Sequence, residues 1–322
     1  MIFLRKLSPV LLLGSSLGLL VSHAQISGLA PGDKPSYVID YDSTDKPTPS
    51  WENGYVLAHE YEPLNAPLVS VFGPLGSRVF TTSLALGNVV RFTLRSMAAS
   101  SKGVFAVSGG ALDANGIGAN VIVFLDSKGT ITRVVRLKEF AGNQLCFADD
   151  NRLWVLGRDP GKPSSSPTDD DMIRVYDDKG AFQQSLLRRS LFSTGFHPAT
   201  GLSYRAANSK NVVLFSPETG YLVLMSKAGE VVSIRQASLA PQTLVTGLAL
   251  TEGSQVVLSA QTNSERSELI TFHTMAPGAS RWTEIYSQES RDGYGKLFGS
   301  SGENLLVGTH HPFRLSWVRI QR

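Results

Sequence analysis

One cysteine, Cys146, stands in 322 residues, so no disulfide forms within the chain, and packing has to hold the fold together. A lone thiol of this kind is expected as a small buried hydrophobe. No apolar run approaches the roughly 20 residues that cross a bilayer; the longest clean stretch is VLLLGSSLGLLV (10–21). It follows Arg5 and Lys6 and precedes SHAQ (22–25), small residues suited to a cleavage site. That order is the secretory signal pattern, with Met1–Ala24 removed and Gln25 as the new first residue. An uncleaved N-terminal anchor is the alternative. The expected location is secreted or periplasmic, with no transmembrane segment after cleavage. Excess charge is lacking as well: the formal net charge is +3, and loss of Arg5 and Lys6 leaves +1. No basic footprint for nucleic acid remains.

Several catalytic signatures are missing. The chain has no Gly-x-Ser-x-Gly elbow and no His-Glu-x-x-His, and one Cys cannot supply a Cys-x-x-Cys-His haem site. After the leader, no segment shows a helical stripe over 12 or more residues.

What the chain has is a repeat. VIVFLDSKGTITRVVRL (121–137) returns as MIRVYDDKGAFQQSLL (172–187) and as YLVLMSKAGEVVSIRQA (221–237). Each joins two strands rich in β-branched residues through a turn. Asp126 or Asp177 can bond the turn backbone, and Gly129, Gly180 or Gly229 can take the positive φ a tight hairpin needs. The first strand of the hairpin begins near Val69, Val121, Met172, Tyr221, Glu268 and Arg314. Two further strands precede it, as in NQLCFADDNRLWVLG (143–157), TGLSYRAANSKNVVLF (200–215), TGLALTEGSQVVLSAQ (246–261) and GKLFGSSGENLLVG (295–308). Four short strands per unit of about 50 residues mark a β-propeller blade. The expected fold is all-β: six blades of four antiparallel strands, with seven as the alternative. The last copy lacks a fourth strand, and YVIDYD (37–42) is the expected donor. Residues 25–36 are expected to be a disordered lead-in, and 37–322 a single propeller.

The turns VYDDKG and FLDSKG, and NRLWVLG after FADD, resemble the six-bladed propellers of the NHL and related repeat families over residues 65–322. That resemblance implies the fold and a habit of binding at one face. It implies no particular reaction.

In propellers, sites are expected on the face built by the inter-blade loops and by the loops between middle strands. The longest such loop, RDPGKPSSSPTDDD (158–171), offers Arg158 and Asp159 at one end. Asp169, Asp170 and Asp171 at the other suit a hard cation such as calcium, the one cofactor the sequence suggests. The equivalent loop in the last copy, THHPF (309–313), offers His310 and His311. Neighbours on an extended chain point to opposite sides, so these two cannot easily share one ion. His197, in an inter-blade connection, is expected to face the same mouth. The glycine-rich GGALDANGIGAN (109–120) leads into a strand, not a helix N-terminus, so anion-cradle physics is absent, and it is read as a loop. Two functions stay open: an exported propeller that binds an unknown protein or small-molecule ligand at one face, and a metal-dependent hydrolase or lactonase of the propeller type. A sensor fragment whose partner domains are encoded elsewhere is a third.

Overall fold

The computed structural model describes residues 28–41, 47, 49–161, 170–192, 204–240, 243–263, 268–289, 295–309 and 313–321. Among them, the one helical element is a 3-10 turn, Arg189–Leu191. Everything else regular is strand, arranged as six antiparallel sheets in chain order around an axis.

The first blade comprises β3 (Ser50–Glu52), β4 (Tyr55–His59), β5 (Leu68–Phe72) and β6 (Arg78–Ser83). The second comprises β7 (Val89–Ala99), β8 (Phe105–Asp113), β9 (Gly118–Leu125) and β10 (Ile131–Leu137). In the third are β11 (Ala141–Asp149), β12 (Arg152–Arg158), β13 (Asp171–Asp177) and β14 (Phe182–Arg188). The fourth holds β15 (Tyr204–Ala207), β16 (Asn211–Phe215), β17 (Tyr221–Ser226) and β18 (Val231–Gln236). The fifth holds β19 (Thr243–Leu250), β20 (Val256–Asn263), β21 (Glu268–Met275) and β22 (Thr283–Glu289). The sixth has β23 (Lys296–Ser301), β24 (Asn304–Thr309) and β25 (Arg314–Ile320). Six blades, not seven, close the ring.

The missing strand of the sixth blade comes from the N-terminus, in two pieces. β1 (Leu29–Pro31) pairs with Val318–Ile320 of β25. β2 (Tyr37–Val38) pairs with Arg314 and Leu315 of the same strand. Of the expected donor segment 37–42, Tyr37 and Val38 form the strand, and closure also reaches upstream to Leu29, so that residues 28–36 of the expected disordered lead-in are ordered against β25 instead. The GGALDANGIGAN stretch is not a loop. Gly109 and Gly110 belong to β8, and only residues 114–117 turn. Asp113 Oδ1 accepts the N–H groups of Asn115 and Ile117, each at 2.9 Å.

The repeated hairpin turn has a packing reason. Asp126 Oδ1 accepts the N–H groups of Lys128 and Thr130, and Asp177 Oδ1 those of Lys179 and Ala181, which bends the chain tightly. The glycine that follows lies on the outer strand of the preceding blade. A Cβ on Gly129 would stand 2.6 Å from the ring of Phe80 on β6, and one on Gly180 2.7 Å from Val135 on β10. Such distances leave no room for a side chain. The rule extends to the ring closure: a Cβ on Gly76 would meet Val38 O at 2.6 Å. The first blade thus treats β2 as the outer strand of the sixth.

Apolar side chains fill each of the junctions between neighbouring blades. Leu57 and Phe80 meet Phe92 and Val123 between the first and second blades. Trp154 and Cys146 meet Val212 and Leu214 between the third and fourth. Tyr37 and Phe72 meet Phe298 and Trp317 at the closure. This face-to-face sheet packing leaves the first strand of every blade lining the axis.

Candidate functional site: an axial cavity

The axial strands enclose a cavity of about 710 Å³, within the range of small-molecule sites. Its rim is made of short turns. Asn53, Ser101, Ser209 and Gly302 come from turns between first and second strands, and Leu75 and Lys227 from turns between third and fourth. Residues of three of these turns are tied to the next blade. Asn53 Nδ2 donates to Ala99 O at 2.7 Å, and Asn208 Nδ2 to Thr251 O at 2.7 Å. Ser101 donates from N and Oγ to Asp150 Oδ1 at 2.8 and 2.7 Å. Ser209 donates likewise to the Glu252 carboxylate.

One ion pair crosses the axis. Glu52 ends β3 in the first blade, and Arg205 lies on β15 in the fourth, across the ring. Arg205 Nη2 donates to Glu52 Oε2 at 3.4 Å and to Met97 O of the second blade at 3.1 Å. Glu52 Oε2 also accepts Ala99 N–H at 3.2 Å, and Oε1 accepts Phe147 N–H from the third blade at 2.8 Å. Four of the six blades meet on one buried carboxylate. Burial pushes the Glu52 carboxyl up from its ordinary value, and Arg205 and the two amides act against that rise. Cys146 lines the same wall and is fully buried. Burial, with the Glu52 charge beside it, pushes its thiol well above the ordinary value, which disfavours the reactive thiolate.

Aromatic side chains make another sector of the wall. Trp51 lies against Gly299, where a Cβ would stand 2.4 Å from the indole. It meets Trp317 edge-on at 5.9 Å between centroids. Lys34, from the strap between β1 and β2, holds its Nζ 4.5 Å above the Trp317 ring and donates to Ser301 Oγ at 2.7 Å. The N-terminal closure therefore supplies part of the cavity wall.

The residues singled out from the sequence lie elsewhere. Arg158 ends β12, Asp159 follows it, and Asp171 begins β13, all at the ends of those strands away from the cavity rim. Asp159 Oδ1 accepts Gly161 N–H at 2.9 Å, which shapes its own loop. Asp170 O accepts Arg189 N–H at 2.9 Å. The Arg189 guanidinium is pulled down by burial and held up by the Asp170 charge. Asp169, His197, His310 and His311 lie outside the described residues, as does the Met1–Ala24 leader. No group of three or more His, Cys, Asp or Glu side chains suited to a metal occurs among the described residues, and none of their helices is long and apolar enough to cross a membrane. Sequence reasoning missed Glu52, Trp51, Arg205 and Lys227. The one available signal was Arg205 itself, a guanidinium inside the apolar first strand of its copy.

His59, at the end of β4, gives a pH dependence. Its Nε2 is buried without a hydrogen-bond partner, and burial lowers its pKa to about 4. The unfolded imidazole titrates near 6.5. Between these values the unfolded state binds more protons, so stability falls as pH drops through that window. From pH 7 to 4.5 this site is expected to remove about 2 kcal/mol. Urea unfolding of the wild type and of His59→Phe at the two pH values reads the difference; an equal pH response in both would contradict it.

No sequence-family model matches the chain, and no curated protein does. Solved structures do match. A protein described as exported, from Bacteroides fragilis, aligns with a TM-score of 0.53 and 11% identity, over 91% of this chain and 96% of that one. A member of the DUF4221 family from Bacteroides vulgatus aligns with a TM-score of 0.53 and 10% identity, over 92% of this chain and 100% of that one. At such identities the likeness is one of fold: the chain is a six-bladed β-propeller, similar in its whole course to these bacterial proteins.

Proposed function

We propose that this protein is an exported binding protein whose small-molecule ligand occupies the axial cavity. The observation that carries the reading is the cavity's construction. An ion pair across the axis fixes its walls, aromatic rings line one sector, and its rim is latched from blade to blade. Such a site is formed before the ligand arrives, which lowers the ordering cost of binding. Export rests on the N-terminal leader pattern and on the likeness to a protein described as exported.

Tryptophan fluorescence tests the reading, because Trp51 and Trp317 wall the cavity. A ligand found in a small-molecule screen should give a saturable change. Leu75 is 71% exposed and stands at the rim, so Leu75→Trp should obstruct the mouth and weaken binding with the unfolding midpoint unchanged. Undiminished binding in that variant, with loss on replacing Arg158 and Asp159, would move the site to the opposite face and overturn the reading.

A further inference from the structure

The cavity's polar groups are unevenly spent. Both of its acids accept protein donors. Glu52 accepts two backbone amides and Arg205, and Glu252 accepts the amide and hydroxyl of Ser209. The neutral hydroxyls and amides at the rim are used in blade-to-blade latches.

The donors are not spent. A guanidinium has five N–H groups. Arg205 uses only Nη2 toward the protein, and its Nε and Nη1 have no partner among the described residues. Its side chain is 14% exposed, so these donors are largely withdrawn from water. Lys227 Nζ makes no hydrogen bond or ion pair among the described residues, and its charge is felt at the Cys146 thiol in the cavity wall and at the Asp149 carboxylate behind the rim. Trp51 Nε1, on a third lining residue, is buried without a partner. A buried donor left unmatched costs about 1–3 kcal/mol. The lining thus holds three cations, Lys34, Arg205 and Lys227, against two acids, and its unmatched capacity is for accepting groups.

From this we infer that the ligand is an anion: a small molecule carrying a carboxylate or phosphoryl group on an apolar body. The free donors of Arg205 and Lys227 take the charged group, and the Trp51 and Phe298 wall takes the body. Both anion types offer charged oxygens to the same donors, where charge-assisted bonds are the strong ones. The inference rests on the axial cavity being the binding site.

Calorimetric titration of the mature protein tests it. The probes are a panel of aromatic and aliphatic carboxylates and phosphomonoesters, each paired with its neutral amide or alcohol. Anionic members should bind at least about tenfold tighter than their neutral counterparts, about 1.4 kcal/mol. Whether carboxylates or phosphomonoesters bind tighter separates the two sources of charge. Lys227 sits in a hairpin turn, so Lys227→Gln should weaken the anions about five- to tenfold with the unfolding midpoint unchanged, and Lys227→Glu should abolish the preference. Neutral counterparts that bind as well as the anions, lost in Leu75→Trp, would overturn the anion inference and leave the cavity reading standing. No binding by any member of the panel would overturn both.

Discussion

Arg205→Ala is expected to cost about 3–5 kcal/mol of folding stability at pH 7, the usual result of removing one partner from a buried ion pair. The substitution leaves Glu52 on two backbone amides with no countercharge. It also frees Met97 O, the other acceptor held by Arg205. Adding Glu52→Gln to that variant should recover part of the cost, because no charge is then stranded and the amide oxygen still accepts a backbone N–H. The variant also carries a pH signature. Burial already raises the Glu52 carboxyl above its ordinary value, and loss of Arg205 raises it further. A carboxyl whose folded pKa exceeds its unfolded one favours folding at low pH, and that gain is lost as pH rises through the folded pKa. Arg205→Ala should therefore regain stability on acidification relative to the wild type. Urea unfolding across pH 4–7 measures this. A cost below about 1 kcal/mol, or no differential gain in acid, would show that the pair does not hold the blades together.

Trp154→Ala is the second large effect. Trp154 lies on β12, is fully buried, and packs between the third and fourth blades beside Cys146, Val212 and Leu214. Truncating such a side chain costs about 3–5 kcal/mol, the transfer term plus the cavity left behind. Its Nε1 has no hydrogen-bond partner, so the loss is one of volume. Trp154→Phe, which keeps most of that volume, should cost less than half as much as the alanine variant. Chemical denaturation compares the two, and equal costs would show that the indole N–H matters after all.

Much of the architecture was legible because it is written locally. The Asp-x-x-Gly turns between the third and fourth strands set the repeat, and Gly129 and Gly180 are glycines because the preceding blade touches them. Counting the copies of the strand that opens the hairpin, from Val69 to Arg314, counts the blades. The closure was legible only in part. β2 has the apolar look of a strand, whereas Leu29–Pro31 is three residues that take their structure from β25. The cavity was hidden for two reasons. Glu52 and Arg205 are 153 residues apart, and nothing near either announces the other. The rim also consists of short turns whose Asn, Ser and Gly read as ordinary turn chemistry. Loop length, by contrast, is visible in a sequence, and it drew attention to residues 158–171 at the other end of the strands. Trp154 was readable as buried because it sits in an unbroken apolar strand.

The most direct test is a crystal structure of the protein with the tightest ligand from the panel. The account predicts difference density in the axial cavity, with its charged group against Arg205 or Lys227 and its body against Trp51. Density at the opposite face, beside Arg158, Asp159 and Asp170, with the axial cavity holding only solvent, would contradict it.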